Sequence, residues 1–478
     1  MYTDNIILMA DAYKYSHHKL YYPGTNKIYS YLESRGGLFG ETAFFGLQYI
    51  LKKYFTGAVI TKEGVDQAAT LLDGVFGSKG IFDRSKFDYI IEKHGGRLPV
   101  RIKAVKEGSI LPVRNVLMTI ENTDPQCYWL TNFLETILMQ TWYPSSVATL
   151  SYHIRQIVEQ YFAATASATS LGGTPFILND FGFRGTSSGE SAGIGGMSHL
   201  LNFKGSDTVI AAVYAQKFYN ASSVVAASVP ATEHSIMTLL GEEGELEVLR
   251  HILKACPTGI VSVVSDSFDI FRATSEYWGG VLKEEILARN GTLVIRPDSG
   301  DPVQTLLHVF DILMDKFGYT VNEKGYKVLP PQVRVIQGDG INLDSIRTIY
   351  KALQDHGISA ENLVLGMGGA LLQRLDRDSQ QFAIKCSYAE INGQPVNVQK
   401  HPLEMNEKGE MVKSFKTSKS GRQQLVLTPQ GYKTIPETEA SPYPNELETV
   451  FENGELLRDE KFEAIQERII SYLKKYNG

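Results

Sequence analysis

Three short polar motifs, each placed after an apolar segment, offer groups that bind a sugar phosphate. Residues 296–300 (Arg-Pro-Asp-Ser-Gly) combine a guanidinium group, a carboxylate and a tight turn, and residues 338–340 (Gly-Asp-Gly) place a carboxylate between two flexible glycines. Residues 366–369 (Gly-Met-Gly-Gly) lead into a predicted helix near Ala370, where free amides would bind phosphate, and Arg377 follows. Each motif alone is equally well explained as a turn or a cap, but together they favour a sugar-phosphate site.

A histidine and an aspartate follow two further apolar segments. His234 lies in the sequence Pro-Ala-Thr-Glu-His-Ser (230–235), where a lone histidine is more commonly a hydrogen-bonded structural residue. Asp266 ends another apolar segment and could orient the imidazole ring. The sequence contains no G-x-x-x-x-G-K-[ST] phosphate-binding loop. The two side chains are candidates for chemistry, with the structural interpretation still open.

An aromatic ring and a carboxylate complete the candidate set. Phe181 follows a predicted strand, where an aromatic side chain can stack on a flat ligand, although core packing is the commoner role. Asp207 precedes a predicted strand and is equally well explained as a solvated turn residue. Neither residue identifies a ligand by itself.

The elements that position these residues alternate between strand and helix. Helical stripes such as 303–317, with Asp301 as N-cap and Pro302 at the first helical position, separate short apolar runs. The runs predicted as strands are Phe176–Leu178, Thr208–Ala215, Val224–Val229, Ile260–Val264, Thr292–Ile295, Val333–Ile336 and Leu363–Leu365. Continuous apolar runs are typical of parallel strands that are buried on both faces. The pattern predicts an irregular, TIM-like parallel β/α barrel, with an open doubly wound sheet as the alternative.

Both ends of the chain differ from this middle part. Before the barrel, strands are predicted at Val100–Val105 and Leu117–Ile120 and a helix at about Asp124–Trp142. After it, hairpin turns are predicted at Asn392-Gly393 and Asn453-Gly454, an exposed loop at Met405–Arg422 and a helix at about Glu460–Tyr476. We predict an N-terminal α+β domain (1–147), the barrel (148–385) and a C-terminal part (386–478) that packs back on the N-terminal domain. The two chain ends would thus form one flanking α+β domain.

Composition narrows the functional class. The chain has 478 residues, 43% of them hydrophobic and 21% charged, as in ordinary globular proteins. A formal net charge of −6 argues against a protein that coats nucleic acid. Three scattered cysteines, no basic signal-like N-terminus and no long apolar stretch predict a cytoplasmic protein that neither spans nor anchors to a membrane.

Several longer motifs carry a resemblance that runs almost end to end. They include residues 11–14 (Asp-Ala-Tyr-Lys), 45–50 (Phe-Gly-Leu-Gln-Tyr-Ile), 180–185 (Asp-Phe-Gly-Phe-Arg-Gly), 202–205 (Asn-Phe-Lys-Gly), 263–267 (Val-Val-Ser-Asp-Ser), 295–300 (Ile-Arg-Pro-Asp-Ser-Gly), 336–340 (Ile-Gln-Gly-Asp-Gly) and 385–388 (Lys-Cys-Ser-Tyr). In these motifs and their order the chain resembles the nicotinamide phosphoribosyltransferase family of type II phosphoribosyltransferases. The resemblance implies that nicotinamide and phosphoribosyl pyrophosphate give nicotinamide mononucleotide and pyrophosphate. It also implies Mg²⁺, a homodimer with active sites at the interface, and ATP hydrolysis coupled through a phosphorylated histidine, here His234.

The resemblance further implies roles for the ring-binding residues. Phe181 and Tyr13 of the partner subunit would sandwich the pyridine ring. Asp207 would accept a hydrogen bond from the carboxamide and would repel nicotinate, because an ionised carboxylate only accepts. Asp266 would orient His234 for attack on ATP.

Other residues would hold the phosphates and the ribose. Arg296 and Gly369 would hold the 5′-phosphate, with Arg377 close by, and Gly338 and Gly368 would also bind substrate. Asp298 and Asp339 would lie near the ribose. Arg184, His234 and the metal would hold the pyrophosphate, and the partner subunit would add Arg35, Lys385 and Lys400. Carboxylates beside the ribose would stabilise positive charge in an oxocarbenium-like transition state.

Three alternatives stay open. The nearest is a nicotinate phosphoribosyltransferase with the same fold and an acidic substrate, and Asp207 is the residue that discriminates between them. Another is a catalytically inactive ligand-binding relative. A barrel lyase or isomerase for sugar phosphates explains the polar strand ends but not the end-to-end resemblance.

Overall fold

The computed structural model describes residues 4–406, 409–413 and 417–476. The chain forms two compact units. Unit 1 comprises Met1–Thr149, Phe218–Asn220 and Asp376–Arg468, and unit 2 comprises Leu150–Lys217, Ala221–Leu375 and Ile469–Gly478. The predicted domain boundary at residue 385 falls inside a strand of unit 1, and the final helix is divided between the two units.

The strands follow one another along the chain in this order. They are β1 (Thr25–Ser34), β2 (Glu41–Ala43), β3 (Val100–Ala104), β4 (Ile110–Pro112), β5 (Val116–Asn122), β6 (Leu178–Asp180), β7 (Gly205–Ser206), β8 (Thr258–Val264), β9 (Asn290–Arg296), β10 (Thr320–Val321), β11 (Lys327–Val328), β12 (Val333–Gln337), β13 (Leu363–Met367), β14 (Phe382–Ile391), β15 (Gln394–Asn397), β16 (Leu403–Met405), β17 (Met411–Lys413), β18 (Gln423–Thr428), β19 (Gly431–Pro436), β20 (Glu448–Glu452) and β21 (Glu455–Leu456).

The α-helices are interspersed with short 3₁₀ and π segments. They are α1 (His17–Leu20), α2 (Leu47–Ile50), α3 (Lys62–Phe76), α4 (Arg84–His94), α5 (Leu130–Phe133), α6 (Glu135–Met139), α7 (Trp142–Thr165), α8 (Gly189–His199), α9 (Val209–Tyr219), α10 (His234–Met237), α11 (Glu245–Ala255), α12 (Ile270–Arg272), α13 (Lys283–Leu287), α14 (Pro302–Phe317), α15 (Leu343–Asp355), α16 (Gly369–Leu372) and α17 (Phe462–Tyr476).

Unit 1 is built on a seven-stranded antiparallel sheet. Its strand order is β15-β14-β1-β5-β3-β20-β21. Strand β14 pairs with β1, and β20 pairs with β3, so strands from the C-terminal part of the chain lie beside strands from the N-terminal part. This confirms the predicted flanking α+β region built from both chain ends.

The two predicted hairpin turns are present in this sheet. Asn392-Gly393 joins β14 to β15, and Asn453-Gly454 joins β20 to β21. All four turn residues have positive φ, between 50° and 85°, as a two-residue type I′ hairpin requires. The predicted exposed loop Met405–Arg422 contains strand β17 of the hairpin β16–β17, and it includes Lys416, which lies outside the described residues.

Unit 2 is built on a parallel sheet of six strands in the order β7-β6-β13-β12-β9-β8. The two edge strands both bridge to residues 227–231: Ser206 N donates to Ala227 O (3.0 Å), and Ser262 N donates to Pro230 O (2.9 Å). These bridges link the two edges of the curled sheet. The predicted irregular parallel β/α barrel is therefore confirmed.

Local sequence explains how the barrel helices begin. The Asp301 side chain accepts a hydrogen bond from Gln304 N at 2.9 Å, and Pro302 stands at the first helical position of α14, as predicted. In α15, the Asn342 side chain and Ser345 form a reciprocal capping box. Both helices follow strands whose polar ends belong to the candidate site, so the caps also fix those loops.

Three local predictions were wrong. Thr208–Ala215 was predicted as a strand, but helix α9 covers most of it, because Thr208, Ala211 and Ala215 are buried at helical spacing. Val224–Val229 forms one isolated bridge, at Ala227, instead of a strand. The helix predicted at Asp124–Trp142 is broken into short segments, and Thr141 Oγ1 donates to Leu138 O (2.8 Å) where α6 ends.

In the described part of the chain, no helix combines the length and the apolar character that crossing a bilayer requires.

Candidate active site

The parallel strands of unit 2, and the loops that follow them, surround a cavity of about 280 Å³. Three predicted site residues line it: Phe181 follows β6, Asp207 follows β7, and Arg296 ends β9. Much of the remaining lining is apolar and includes Ala227, Val229, Ile260, Val294, Ile336 and Val364. The lining also includes a second ring, Phe176, and a second guanidinium group, Arg334. A largely apolar cavity with aromatic rings, one carboxylate and guanidinium groups suits a small, flat, polar ligand.

The Phe181 ring is fixed from two sides. A Cβ atom added to Gly366 of β13 would lie 2.1 Å from Phe181 Cε2, so the ring packs directly on a backbone where only glycine leaves room. The Arg296 guanidinium carbon lies 5.3 Å from the ring centroid, within the range of a cation–π interaction. The Phe181 backbone N donates to Met367 O at 3.0 Å. The orientation of this ring is therefore set before any ligand binds.

Asp207 is held by a neighbouring hydroxyl group. Ser228 Oγ donates a hydrogen bond to Asp207 Oδ1. Ser228 belongs to the bridging segment 227–231 and also lines the cavity. Because a carboxylate has several lone pairs, Asp207 retains the capacity to accept a further hydrogen bond from a ligand.

Four of the predicted residues form a connected chain across the ends of β8 and β9 and the segment that follows the bridge at Ala231. Arg296 Nη2 and Nε donate to Asp298 Oδ1 at 2.8 and 3.1 Å. The Asp298 backbone N donates to Asp266 Oδ2 at 3.1 Å, and His234 Nε2 lies 3.2 Å from Asp266 Oδ1. The Asp266 side chain is only 4% exposed, whereas that of His234 is 50% exposed. Asp266 thus lies within hydrogen-bonding distance of an accessible imidazole ring.

The loop 338–340 is anchored by a buried glutamine. Gln337 is 1% exposed and donates from Nε2 to Asp339 O at 2.9 Å. A Cβ atom on Gly338 would come within 3.1 Å of Arg296 Nη2, so Gly338 lets the guanidinium group lie against the backbone. Asp339 itself is exposed at the barrel mouth. The geometry connects this loop to Arg296.

The predicted phosphate loop lies beside the turn that holds Arg184. Gly368 precedes the one-turn helix α16, which begins at Gly369. Arg184 is exposed in the 3₁₀ turn Phe183–Gly185, and a Cβ atom on Gly185 would lie 3.5 Å from Gly369 Cα. The structure therefore brings the loop and the turn together at the same edge of the barrel.

A second cavity, of about 480 Å³, lies in unit 1 and is cationic. It is lined by four predicted site residues, Arg35, Arg377, Lys385 and Lys400, together with the carboxylates of Glu135 and Asp378. Arg377 pairs with Asp378 at 3.1 Å, so the cations exceed the carboxylates by two. Burial lowers the pKa of Lys385, Glu135 opposes this shift, and the charges of Arg35, Lys400 and Arg377 add to it. Among the residues described, Arg35 Nη2 is buried with no hydrogen-bond partner. Such a group suits an anionic ligand.

Tyr13 lies on the 3₁₀ segment Ala12–Ser16 of unit 1 and is 60% exposed. Lys14 Nζ lies 5.4 Å from its ring centroid and forms an ion pair with Glu135 at 2.9 Å. Glu135 lines the cationic cavity, so Tyr13 is connected to it through Lys14. An exposed aromatic ring in this position is available to an external ligand or chain.

Sequence reasoning missed four residues that shape the site. Ser228, Gly366 and Gln337 contact Asp207, Phe181 and the Asp339 loop, and buried Asp180 contacts the residues around Phe181 and Asp207. Gly366 lies inside the motif 366–369 and Gln337 lies beside the motif 338–340, but both motifs were chosen because of their other residues. Ser228 gave no signal, because no spacing in the sequence indicates that residues 227–231 bridge both sheet edges.

The chain matches two family descriptions. Residues 176–455 match the nicotinate phosphoribosyltransferase (NAPRTase) family, and residues 5–102 match the N-terminal domain of nicotinamide phosphoribosyltransferase. The first match covers the barrel and the strand ends described above. The fold and these matches define a phosphoribosyltransferase.

Curated relatives narrow the class further. A nicotinamide phosphoribosyltransferase of Xanthomonas campestris pv. campestris (strain 8004) is 45% identical over 473 residues, covering 97% of this chain and 98% of that protein. One of Acinetobacter baylyi (strain ATCC 33305 / BD413 / ADP1) is 32% identical, covering 98% and 97%. The chain belongs to the nicotinate phosphoribosyltransferase family, with full-length similarity to its nicotinamide phosphoribosyltransferase members.

Solved structures share the fold at low sequence identity. A nicotinate-nucleotide pyrophosphorylase from Pyrococcus furiosus superposes with a TM-score of 0.61 at 15% identity, covering 99% of this chain and 97% of that chain. Human nicotinic acid phosphoribosyltransferase gives 0.57 at 15% identity, covering 98% and 94%. These likenesses support the architecture.

Proposed function

We propose that this protein transfers the phosphoribosyl group of phosphoribosyl pyrophosphate to nicotinamide, giving nicotinamide mononucleotide and pyrophosphate for NAD salvage. The observation that carries the proposal is the cavity of about 280 Å³ that Phe181, Asp207 and Arg296 line together. A stacking ring and a hydrogen-bond acceptor in one small cavity match a pyridine carboxamide. The phosphorylated substrate and the reduced thiols of Cys127, Cys256 and Cys386 fit a cytoplasmic enzyme.

Asp207 supports the amide over the acid as substrate. The carboxamide NH₂ donates, and an ionised carboxylate accepts, so the two are complementary. Nicotinate would bring a second negative charge to the same place, and like charges at short range disfavour binding. Ser228 keeps the Asp207 carboxylate directed within the cavity lining.

The strand-end loops support binding of the sugar phosphate. Arg296 and the glycine loop that contains Gly368 and Gly369 supply a guanidinium group and backbone amides for the 5′-phosphate. Asp298 and Asp339 supply carboxylates beside the ribose, where positive charge develops as pyrophosphate leaves. The loops that carry Asp298 and Asp339 are each held by a hydrogen bond, so less reorganisation is needed to reach the transition state.

Pyrophosphate departure would use Arg184 and a divalent cation. The carboxylates of Asp298 and Asp339 are oxygen donors of the type that Mg²⁺ prefers, so the residues present fit this ion. We propose that Mg²⁺ is held mainly through the pyrophosphate, and when bound it neutralises the charge of the leaving group. Arg184, in its exposed turn beside Gly369, would hold the same group.

ATP coupling would proceed through His234. Nε2 of the imidazole is engaged with Asp266, so Nδ1 is the nitrogen for attack on the γ-phosphorus of ATP, with ADP as the leaving group. The Asp266 carboxylate stabilises the ring as its charge rises. Asp266 also accepts a hydrogen bond from Asp298 N. Phosphorylation of His234 would therefore change the interactions of the loop that meets the ribose, through Asp266.

The proposed functional form is a homodimer with shared active sites. The partner subunit would contribute Tyr13 to the pyridine ring and Arg35, Lys385 and Lys400 to the phosphates. The cationic cavity of unit 1, which also holds Arg377, supports this assignment: its four cations outnumber its two carboxylates, and Arg35 Nη2 is buried without a hydrogen-bond partner among the described residues.

A product assay tests the proposal. Purified protein is supplied with phosphoribosyl pyrophosphate, Mg²⁺ and either nicotinamide or nicotinate, with and without ATP. Nicotinamide mononucleotide from nicotinamide, with little product from nicotinate, is the expected result. Product from nicotinate alone would keep the reaction class and overturn the assignment of Asp207. No product from either would favour a ligand-binding role.

A further inference from the structure

Asp180, the last residue of β6, contacts the backbone on both sides of the proposed pyridine site. Its Oδ1 accepts a hydrogen bond from Gly182 N at 2.7 Å, immediately after Phe181. Its backbone O accepts from Asp207 N at 3.0 Å. Its Oδ2 lies 3.4 Å from Ser206 Oγ, immediately before Asp207. One residue therefore joins the two loops that carry the ring and the carboxylate.

The Asp180 side chain lies outside the cavity. Its neighbours Asn179 and Phe181 both line the cavity, and strand geometry directs the intervening side chain to the opposite face. The Asp180 carboxylate instead lies beside helix α8, because a Cβ atom added to Gly196 of α8 would lie 3.1 Å from Asp180 Oδ2 and 3.2 Å from Thr208 Cγ2. Asp180 is 0% exposed in this layer between strand and helices. It has no path to a substrate and acts only through its neighbours.

A carboxylate at this position is energetically demanding. Burial raises the pKa of Asp180 to about 6, although the hydrogen bond from Gly182 opposes the shift, and the charge of Asp207 contributes to it. An amide would satisfy Gly182 N without burying a charge. A role confined to capping the turn therefore does not account for the negative charge.

We infer that Asp180 is a positioning residue that fixes the Phe181 ring relative to the Asp207 carboxylate, and that its buried charge reinforces Asp207 against an acidic substrate. The inference rests on the proposed function. The hydrogen bonds set the geometry of both loops, and the charge lies close enough to Asp207 to interact with it. The two contributions are separable by substitution.

The experiment compares Asp180→Asn, which removes the charge and retains an acceptor for Gly182 N, with Asp180→Ala, which removes both. For Asp180→Ala, the KM for nicotinamide is expected to rise about tenfold, with the KM for phosphoribosyl pyrophosphate within about twofold of wild type. For Asp180→Asn, the ratio of kcat/KM for nicotinamide over nicotinate is expected to fall about threefold or more, with kcat for nicotinamide retained.

Glu245→Gln is the matched control, because Glu245 is also 0% exposed in unit 2 but pairs with Arg272. It is expected to leave both the KM for nicotinamide and the substrate ratio unchanged. A folded Asp180→Asn variant with wild-type selectivity and KM would overturn the inference. Equal increases in the KM for nicotinamide and the KM for phosphoribosyl pyrophosphate would also overturn it. If Asp180→Ala does not fold, Asp180→Asn decides alone. Wild-type turnover of nicotinamide in the same assay tests the proposed function separately.

Discussion

His234 Nε2 lies 3.2 Å from Asp266 Oδ1, and the other oxygen of the same carboxylate accepts a hydrogen bond from the backbone N of Asp298 at 3.1 Å. A nearly buried carboxylate thus connects an accessible imidazole ring to the loop proposed to meet the ribose. Any chemical change at His234 alters the charge that Asp266 faces. The same carboxylate offers a direct physical route from the imidazole to the loop of Asp298.

The first prediction concerns this connection. His234→Ala removes the nucleophile and is expected to abolish stimulation by ATP, measured as the ratio of product formation with and without ATP. Asp266→Asn keeps an acceptor but loses the charge that stabilises an imidazolium ring, so the same ratio is expected to fall at least about tenfold. Full ATP stimulation in His234→Ala would exclude a phosphohistidine here.

The second prediction concerns substrate choice. Asp207→Ser removes the negative charge while keeping a small polar group, and kcat/KM for nicotinamide is expected to fall roughly thirtyfold, the scale of one charge-assisted hydrogen bond. Turnover of nicotinate is expected to rise, because the repulsion is gone. Steady-state kinetics with both substrates measure the change. An unaltered preference would show that Asp207 does not select the amide.

The third prediction concerns the backbone behind the ring. Gly366→Ala introduces a Cβ atom 2.1 Å from Phe181 Cε2, which the ring tolerates only by moving. The KM for nicotinamide is expected to rise about tenfold as stacking is lost, with kcat at saturation less affected. Gly172→Ala is the control, since an added Cβ atom there meets nothing within 4 Å. Equal behaviour of the two variants would remove Phe181 stacking from the proposal.

The fourth prediction concerns the cationic cavity of unit 1. Lys385→Met removes one of its four cations, and the KM for phosphoribosyl pyrophosphate is expected to rise about fivefold. The increase is expected to be larger at low ionic strength than at high, because salt screens the attraction between Lys385 and the phosphates. The KM for nicotinamide is expected to stay within about twofold. Lys62→Met is the control, because Lys62 is an exposed residue at the start of helix α3 in the same unit. A change in nicotinamide binding alone would contradict the phosphate role.

Sequence reasoning was most successful where a local rule fixes the outcome. The strand Thr258–Val264, the cap at Asp301 and the hairpin at Asn392-Gly393 each follow from residues close in sequence. Because parallel strands end at one edge, the predicted strand-end residues of unit 2 also proved to be neighbours. The roles given to them stay predictions until they are assayed.

Other features depend on contacts between distant segments. The run Thr208–Ala215 is short and apolar, and only its packing in the barrel wall decides that it is helical. Ser228 meets Asp207 because residues 227–231 bridge both sheet edges, which no local pattern encodes. The sequence shows Asp180 only as the first residue of the motif 180–185. Its position between the two loops is evident only from its hydrogen bonds to Gly182 N and Asp207 N.

The last prediction concerns a buried acid in unit 1. Glu107 is 3% exposed and accepts hydrogen bonds from Gln48 N (2.6 Å), Gly46 N (2.9 Å) and Tyr219 Oη (2.8 Å). Burial raises the pKa of Glu107 from 4.5 to about 7 in spite of these bonds. The unfolded chain therefore loses this proton at lower pH than the folded protein. Stability from this group falls as pH rises from about 4.5 to 7, by about 3 kcal/mol at most.

Tyr219→Phe tests this assignment, because its hydroxyl stabilises the ionised form of Glu107 more strongly than the protonated form. The variant is expected to lower the free energy of unfolding by about 2 kcal/mol at pH 8.5 and by about 1 kcal/mol at pH 5.5, followed as thermal midpoints across that range. Tyr350→Phe is the control, since Tyr350 is 1% exposed and, among the described residues, its hydroxyl has no partner. Its cost is expected to be near zero at both pH values. A cost for Tyr219→Phe that is equal at both pH values would mean that Glu107 keeps one protonation state throughout, and the pH dependence of stability would then have to arise from other groups.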